Sequence, residues 1–298
     1  MPIEKIWMNG KYLDKPDGIV NVSIAALHYG TSIFEGILCI DSKVFRIQDH
    51  IDRLFESARV FDYRIGYSKE ELYGAIIGLV KMNRYKSCYI RPIIFEDTDF
   101  LNMRSNKSCL NTIVLCKNFN ASVYEWQMRK GVRVIISKKI RSLWATGLAQ
   151  AKVSGKYLNS TIARIEARDN GANDAIFLDK EGKISEATSS NIFIAKNGIL
   201  KTPCRANTLR GVTQDSIMRI GRDLGCSVIE QDMEPDDLYN ADEVFLTNTA
   251  RGVISVSQID SKKIIDSTRK GMVKDLRARY IDIIKGKDLR YQEWLTCF

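Results

Sequence analysis

Residues 150–160 read QAKVSGKYLNS, and this stretch decides how the rest of the chain is interpreted. Lys152 lies among small residues, which leave room for a ring beside its amine, and Tyr157 follows near the start of a helix predicted over 156–169. A lysine can form a Schiff base with an aldehyde. By pattern alone, however, Lys152 is typical of a surface lysine, so its role depends on its companions elsewhere. The residues predicted to face inward on this helix are Leu158, Ile162 and Ile165.

The composition is that of an ordinary globular protein. The 298 residues are 45% hydrophobic and 27% charged, which is enough for two modest domains with ample core. The net charge of +9 is scattered along the chain, so we expect a charged surface and no nucleic-acid partner. Seven cysteines without a CxxC pair, and only two histidines, predict no metal site and a reducing, cytoplasmic setting. No apolar run approaches the roughly 18 residues of a membrane span, so no membrane partner is expected.

Local signals predict strands and helices in an irregular order. The pair Asn9-Gly10 between two apolar runs predicts a hairpin. Ser68 with Glu71 predicts a capping box at the start of a helix. Because helices are inserted irregularly among strands, the pattern favours an α+β fold over a doubly wound sheet.

A polar, weakly patterned segment near the middle of the chain predicts a division into two domains. The predicted division is a smaller N-terminal domain, 1–117, an interdomain loop, 118–130, and a larger C-terminal cofactor-binding domain, 131–298.

Two charged residues, Arg53 and Glu186, look like surface residues from the local pattern alone. Arg53 falls off the apolar stripe formed by Ile51, Leu54 and Phe55, which predicts a position on the surface of its helix. Glu186 precedes a run of small polar residues, as in a hydrophilic loop. An acid there also suits a ring nitrogen, whose protonation makes the ring an electron sink.

Two small polar turns have the character of an anion site. Residues 209–213 precede a predicted helix, and residues 247–252 follow a predicted strand. Each fits a plain turn, and together they suit a cup for a phosphate group, because backbone N–H groups and hydroxyls bind anions at such places.

These features belong to a series of motifs that runs along nearly the whole chain. The motifs are ALHYG at 26–30, FEG at 34–36, YIRP at 89–92, Lys152 with Tyr157, ISE at 184–186 with Asn191, RGVT at 210–213 and TA at 249–250. In this order and spacing they resemble the branched-chain amino acid aminotransferases, which are class IV, fold-type IV pyridoxal phosphate enzymes. The resemblance implies a two-domain α+β fold like that of D-amino acid aminotransferase, assembled as a homodimer or higher homo-oligomer.

The resemblance also implies an activity and a cofactor, pyridoxal 5'-phosphate. The chain would move an amino group between an L-amino acid, branched-chain or related, and 2-oxoglutarate. Lys152 would hold the cofactor as a Schiff base and transfer a proton during the reaction. Tyr157 would form a hydrogen bond with the cofactor's phenolate oxygen, and Glu186 would pair with the cofactor's ring nitrogen. Arg53 would bind its phosphate. The other cofactor contacts implied are those of Asn191, Gly211, Val212, Thr213, Thr249 and Ala250.

The substrate residues follow from the same resemblance. Arg91 lies inside an apolar strand, where a charge needs a partner, and the carboxylate of glutamate is the partner we expect. His28 is expected to be structural, because Lys152 already carries the proton. The pocket would be lined by Phe34, Gly36, Tyr89, Arg91, Ala250, Arg251 and the partner subunit's Tyr29.

The chain departs from the family pattern on the substrate side. The loops at 97–104, 117–124 and 142–147 differ, and Arg251 replaces a small residue after Thr-Ala. Since loops carry specificity on a fixed scaffold, we hypothesise that the preferred amino acid need not be branched. Arg251 would bind a second carboxylate or another anion, and the alternative is an exposed arginine beside Gly252.

Three alternatives remain at this point. Two share the fold, a D-amino acid or amine transaminase and an aminodeoxychorismate lyase. The third is a basic, non-enzymatic binding protein, against which the intact Lys152, Tyr157 and Glu186 argue.

Overall fold

The protein divides into two compact units that are discontinuous in sequence. The computed structural model describes residues 3–97, 109–138, 149–204, 208–264 and 271–298. The first unit consists of Met1–Ala121, Ala151–Lys156 and Ile284–Phe298, and the second of Ser122–Gln150 and Tyr157–Ile283. The first unit therefore takes two later segments that the predicted division assigns to the C-terminal domain.

The first unit is built on an antiparallel sheet. Its strands are β1 (Lys5–Met8), β2 (Lys11–Asp14), β3 (Ser32–Phe34), β4 (Ile37–Ile40), β5 (Lys43–Phe45), β6 (Cys88–Asp97), β7 (Cys109–Asn118) and a C-terminal strand, Leu295–Cys297. The C-terminal strand pairs with β5, and the sheet continues as β5-β4-β6-β7-β1-β2, with β3 also paired to β6. The predicted hairpin joins β1 and β2, and Asn9 and Gly10 have φ of 48° and 86°, as its tight turn requires.

Three helices accompany this sheet, α1 (Ala25–Tyr29), α2 (Ile47–Ala58) and α3 (Lys69–Met82). The predicted capping box of α3 is confirmed, because Ser68 Oγ accepts the Glu71 N–H at 3.1 Å and Glu71 Oε2 accepts the Ser68 N–H at 2.7 Å. Helix α2 buries polar side chains beside its apolar ones. This polar face is the first part of the candidate site.

The second unit is built on a mixed sheet. Its strands are β8 (Val132–Ile136), β9 (Asp174–Leu178), β10 (Ile184–Ala187), β11 (Asn191–Lys196), β12 (Ile199–Thr202), β13 (Ser227–Glu230), β14 (Glu243–Asn248), β15 (Gly252–Ile259) and β16 (Lys262–Lys263). They run in the order β10-β9-β8-β15-β14-β11-β12-β13, with β16 on β15. The pairs β8–β9, β8–β15 and β12–β13 are parallel and the others antiparallel. With its helices, this arrangement confirms the α+β prediction.

The helices of the second unit correct two predictions. These helices are α4 (Ala121–Arg129), α5 (Tyr157–Asp169), α6 (Val212–Asp223), α7 (Pro235–Tyr239) and α8 (Met272–Ile284). The segment 118–130, expected to be a loop, is thus largely helical. The inward face predicted for α5 is also wrong, because Leu158, Ile162 and Ile165 are 68%, 43% and 45% exposed. Ala163 and Ala167 are buried instead and pack in a small cluster with strands β8 and β9. Among the described residues, we find no helix with the length and apolarity needed to cross a bilayer.

Candidate active site

Lys152 is built into the first unit through its backbone. Its N–H donates to Ser57 Oγ at 3.0 Å, and its C=O accepts the Phe34 N–H at 3.1 Å. The next residue, Val153, forms a β-bridge with Ile33. Residues 151–153 therefore run beside β3, and Ser154–Lys156 follow as a short 3-10 helix. This pairing fixes the main chain from which the lysine side chain extends.

Two cations contact one aromatic ring near this segment. Lys152 Nζ lies 4.8 Å from the centre of the Phe34 ring, and the Arg91 guanidinium carbon lies 4.5 Å from it. Arg91 Nη2 also donates to Tyr89 Oη at 3.1 Å. A Cβ atom at Gly36 would collide with the Tyr89 hydroxyl, so only glycine permits this close approach. These predicted substrate residues are therefore grouped in the first unit.

Arg91 keeps part of its capacity to bind an anion. Its Nε atom is buried without a hydrogen-bond partner among the described residues. None of the carboxylates in the described ranges forms an ion pair with it. A buried N–H donor without an acceptor is costly, and a carboxylate bound to the guanidinium would remove that cost.

Arg53 is buried, which corrects the surface position that the periodicity predicts. Its Nε donates to Glu35 Oε1 at 2.7 Å and its Nη2 donates to Glu35 Oε2 at 2.8 Å, so the pair is bidentate. His50 Nδ1 lies 2.7 Å from Glu35 Oε2, and the Gly36 N–H donates to the same oxygen at 3.1 Å. Glu35 is fully buried and holds Arg53 in one orientation.

The charges of this cluster set its protonation states. Burial alone raises the pKa of Glu35, but the positive charge of Arg53 and the imidazole of His50 hold that pKa well below its usual range. Burial lowers the pKa of His50, and the opposing attraction of Glu35 does not restore it. Glu35 is therefore a carboxylate near neutral pH and His50 is neutral, with Nδ1–H donating to Glu35.

In the second unit, Glu186 and Asn191 support one turn. Glu186 lies on β10 and is 5% exposed, so the hydrophilic-loop interpretation is wrong. Its Oε2 accepts the Leu209 N–H at 3.2 Å, while Asn191 Nδ2 donates to the Leu209 C=O at 2.8 Å. A Cβ at Gly211 would collide with Asn191 Oδ1, so the turn requires glycine at this position. This turn leads directly into α6.

The remaining cofactor residues of the resemblance also lie in the second unit. Val212 and Thr213 begin α6 and are both buried. Tyr157 is the first residue of α5 and is half-buried. Thr249 and Ala250 form the turn between β14 and β15, where the Thr249 C=O accepts the Tyr124 hydroxyl at 3.1 Å.

Arg251 has an acidic neighbour that the sequence did not indicate. Its Nη2 donates to Asp174 Oδ2 at 2.8 Å, and Asp174 is fully buried. The other Asp174 oxygen accepts the Thr188 hydroxyl. The Arg251 N–H donates to Asn248 Oδ1 at 2.7 Å. The exposed arginine expected as the alternative is therefore not what the structure shows, and its second-anion role stays a prediction.

Sequence reasoning missed three supporting residues, Glu35, Ser57 and Asp174. Glu35 carried a usable signal, because it is an acid inside the apolar run Ile33–Ile40. Ser57 and Asp174 carried none, since their contacts join residues 95 and 77 positions apart.

Two residues near the start of the chain, Tyr29 of the predicted pocket and the neighbouring His28, lie on helix α1. Tyr29 is 43% exposed at the end of α1, and His28 Nε2 lies 2.9 Å from the Val22 C=O. Of the three loops that depart from the family pattern, 142–147 and all of 97–104 except Asp97 lie outside the described residues. The third, 117–124, is described and spans the end of β7 and the start of α4.

Comparison with known proteins gives consistent matches over almost the full chain. Residues 32–259 match the family model Amino-transferase class IV. The branched-chain-amino-acid aminotransferase of Pseudomonas aeruginosa is 33% identical over 295 residues, which cover 98% of this chain and 96% of the relative. The T.th. branched-chain amino acid aminotransferase, solved with pyridoxamine 5'-phosphate, is 36% identical, with a TM-score of 0.94 and coverage of 100% and 99%. Its complex with N-(5'-phosphopyridoxyl)-L-glutamate gives 34% identity, a TM-score of 0.92 and the same coverage.

Proposed function

The chain belongs to the class IV, fold-type IV aminotransferases of the branched-chain type, and from that premise we propose that it uses pyridoxal 5'-phosphate to move an amino group between an L-amino acid and 2-oxoglutarate. The observation that carries the proposal is Lys152, held by its backbone N–H and C=O in a unit that also orients Arg53 and Arg91. Family membership favours this interpretation over the lyase and over a non-enzymatic binding protein.

The donor set fits a phosphorylated pyridine aldehyde. Two threonine hydroxyls of the second unit, Thr208 Oγ1 and Thr247 Oγ1, are buried without a hydrogen-bond partner among the described residues. Thr208 precedes the turn that Glu186 and Asn191 support, and Thr247 precedes the turn at Thr249. Buried hydroxyls left unpaired are uncommon, and a bound polar ligand would satisfy them. The proposed site residues also include an amine on Lys152, a carboxylic acid on Glu186 and a guanidinium on Arg53.

Each residue in this set has a defined task in the proposal. The cofactor supplies an electron sink that stabilises negative charge at the substrate's α-carbon. With the cofactor bound, Lys152 Nζ would hold it through its aldehyde and, once displaced by the substrate's amino group, would accept the proton from the α-carbon. Glu186 would face the ring nitrogen, and Tyr157 would orient the ring. The phosphate would be held by Arg53, Gly211, Val212, Thr213, Thr249 and Ala250, with Asn191 shaping the first of their turns.

The glutamate side of the exchange is proposed from Arg91. Its guanidinium rests on Phe34, donates a hydrogen bond to Tyr89 and leaves Nε without a partner among the described residues, so it is pre-oriented for a carboxylate. The T.th. relative has been solved with a phosphopyridoxyl-glutamate compound, which supports a dicarboxylic substrate in this family. Gly36 and the partner subunit's Tyr29 complete the proposed pocket. Arg251 is proposed chiefly as a support of the Thr249 turn, because Asp174 neutralises it.

The assembly and cellular setting are also proposals. A homodimer or higher homo-oligomer is supported by large exposed apolar side chains on α1 and α5, including Leu27 and Leu158 at 67% and 68% exposure. A cytoplasmic setting is supported by the seven cysteines, all of which are free. Light scattering of the purified protein tests the assembly, and a monomer at micromolar concentration would contradict it.

The test of the activity begins with the visible spectrum of the protein after addition of pyridoxal 5'-phosphate. We expect an absorbance band from the lysine-bound aldehyde, its loss on titration with L-leucine or L-glutamate, and its return with 2-oxoglutarate. Borohydride reduction and peptide mapping should place the label on Lys152. Lys152→Ala should abolish the band, whereas the matched neighbour variant Lys156→Arg should keep both the band and the label on Lys152. A wild-type protein without a band, or an unchanged band in Lys152→Ala, would contradict the proposal.

The glutamate assignment has its own kinetic test. Arg91→Gln should raise KM for 2-oxoglutarate by about 10- to 100-fold, the loss of one charged hydrogen-bonded contact, while KM for a neutral substrate such as L-leucine changes much less. Arg168→Gln, which changes an exposed arginine of α5 paired with Asp169, is the control. An equal rise in KM for 2-oxoglutarate and for L-leucine in Arg91→Gln would show that Arg91 does not select the dicarboxylate.

A further inference from the structure

Ser57 joins two residues that the proposed function uses. Its Oγ donates to the Arg53 C=O at 2.9 Å and accepts the Lys152 N–H at 3.0 Å. The first contact is a common bond from a helical serine to the carbonyl four residues earlier. The second contact reaches 95 residues along the chain. Because Ser57 is only 1% exposed, water cannot easily replace it as acceptor for the Lys152 N–H.

Helix α2 is fixed at the same place by its buried ion pair. Arg53 and His50 both contact Glu35, and these two residues with Ser57 form the buried polar face of α2. Glu35 immediately follows β3, whose residue Phe34 donates its N–H to the Lys152 C=O. The lysine backbone is thus held from both sides, by α2 through Ser57 and by β3 through Phe34.

We propose that Ser57 is a positioning residue that ties the Lys152 main chain to the helix carrying Arg53. The inference rests on the proposed function, in which Lys152 takes the aldehyde and Arg53 the phosphate of one cofactor. Both points of attachment then belong to one hydrogen-bonded frame, Lys152–Ser57–Arg53–Glu35, and their separation is set before the cofactor binds. Such pre-organisation lowers the cost of holding a ligand in its reactive geometry.

A purely structural serine predicts a different result. If Ser57 only supported α2, its removal would loosen the helix and leave the amide of Lys152 as protected as before. Ser216 provides a matched control, because it is fully buried and its Oγ donates to the Val212 C=O four residues earlier at 2.8 Å on α6. Ser216→Ala removes the same kind of helical bond.

The first measurement needs no cofactor. Hydrogen exchange of the full-length apo protein, followed by mass spectrometry of peptides covering 151–156, compares Ser57→Ala with the wild type. We expect exchange at Lys152 to become about tenfold faster, as for loss of one buried hydrogen bond, and to stay unchanged in Ser216→Ala. Ser57→Cys replaces the hydroxyl with a somewhat larger thiol that is a weaker acceptor, and it gives the same test if Ser57→Ala folds poorly.

The second measurement asks where the aldehyde reacts. After addition of pyridoxal 5'-phosphate and borohydride reduction, the share of label on Lys152 should fall several-fold in Ser57→Ala, and the label should spread to other lysines. Unchanged exchange at Lys152 together with an unchanged label share would overturn the positioning role. A wild-type protein that carries no label on Lys152 would instead refute the proposed function, while the exchange result would still report on the contact.

Discussion

The two units hold their proposed site residues in different ways. In the first unit, charged side chains hold one another, since Glu35 binds Arg53 and His50 in a buried cluster. In the second unit, side chains hold backbone turns, since Glu186 and Asn191 both bind Leu209. The first arrangement fixes the direction of a side chain, and the second fixes the path of the main chain. A cation that must meet a phosphate needs the former, and N–H groups that surround a phosphate need the latter.

The contrast predicts its largest effect at Glu35. Glu35→Ala should lower the free energy of unfolding by about 3–5 kcal/mol, because Arg53 would stay buried without its counter-charge. Urea unfolding of the apo protein measures the loss. Glu35→Gln, which keeps some of the hydrogen bonds, should lose less. A loss below about 1 kcal/mol in Glu35→Ala would mean that Arg53 finds water or another acceptor, and that the cluster is less closed than its burial indicates.

A smaller effect is expected at the ion pair of the second unit. Asp174→Asn should cost about 1–3 kcal/mol, because the side chain of Arg251 is 25% exposed and water can replace part of the lost contact. The same unfolding experiment in an Arg251→Met background isolates the coupling between the two residues. If Asp174→Asn cost as much as Glu35→Ala, the proposed difference between the two units would not hold.

The smallest effect concerns the sign of the pH dependence. The pKa of Glu35 and that of His50 are both lowered on folding, so their contribution is present above the unfolded pKa values, about 6.5 for His and 4.3 for Glu, and is lost as pH falls. Burial raises the pKa of Glu243, although the N–H groups of Met272 and Val273 at the start of α8 oppose this. Its contribution is therefore present at low pH and lost as pH rises through the folded pKa.

Stability curves between pH 4 and 8 separate these contributions. His50→Gln should flatten the fall in unfolding free energy below about pH 6.5, and Glu243→Gln should gain stability relative to the wild type as pH rises. Parallel curves for the wild type and both variants would show that neither group titrates differently in the folded and unfolded chains.

Local structure was predictable where the interactions that determine it lie within one short segment. The hairpin at Asn9-Gly10 and the capping box at Ser68 depend on φ preferences and hydrogen bonds within four residues, so the sequence was enough. Arg53 was misplaced because periodicity treats any charge as a surface residue, and its buried partner Glu35 lies 18 positions earlier. On α5 the small Ala163 faces the core and Leu158 does not, because the helix packs against strands β8 and β9.

The site was predictable to a different degree. Its proposed residues came from ordered motifs, and their placement within each unit could not be read from the sequence. The contacts that orient them, such as Ser57 with Lys152 and Asp174 with Arg251, join distant positions and involve residue types that occur throughout the chain. Arg251 shows the limit of prediction from sequence. Its charge suggested that it binds a ligand, but in the structure it pairs with the carboxylate of Asp174.

The interleaved course of the chain has a consequence for dissecting the protein. Since Ala151–Lys156 and Ile284–Phe298 fold with the first unit, a fragment ending at Ala121 would lack both the segment of Lys152 and the last strand of the sheet. A fragment beginning at Ser122 would carry Ala151–Lys156 as an internal segment and Ile284–Phe298 as a tail, both without the strands that they pair with. The two halves are therefore not exchangeable modules, and chimeras with a relative should be cut at surface turns within a unit, such as Asn197-Gly198, and not at the apparent boundary near Ala121.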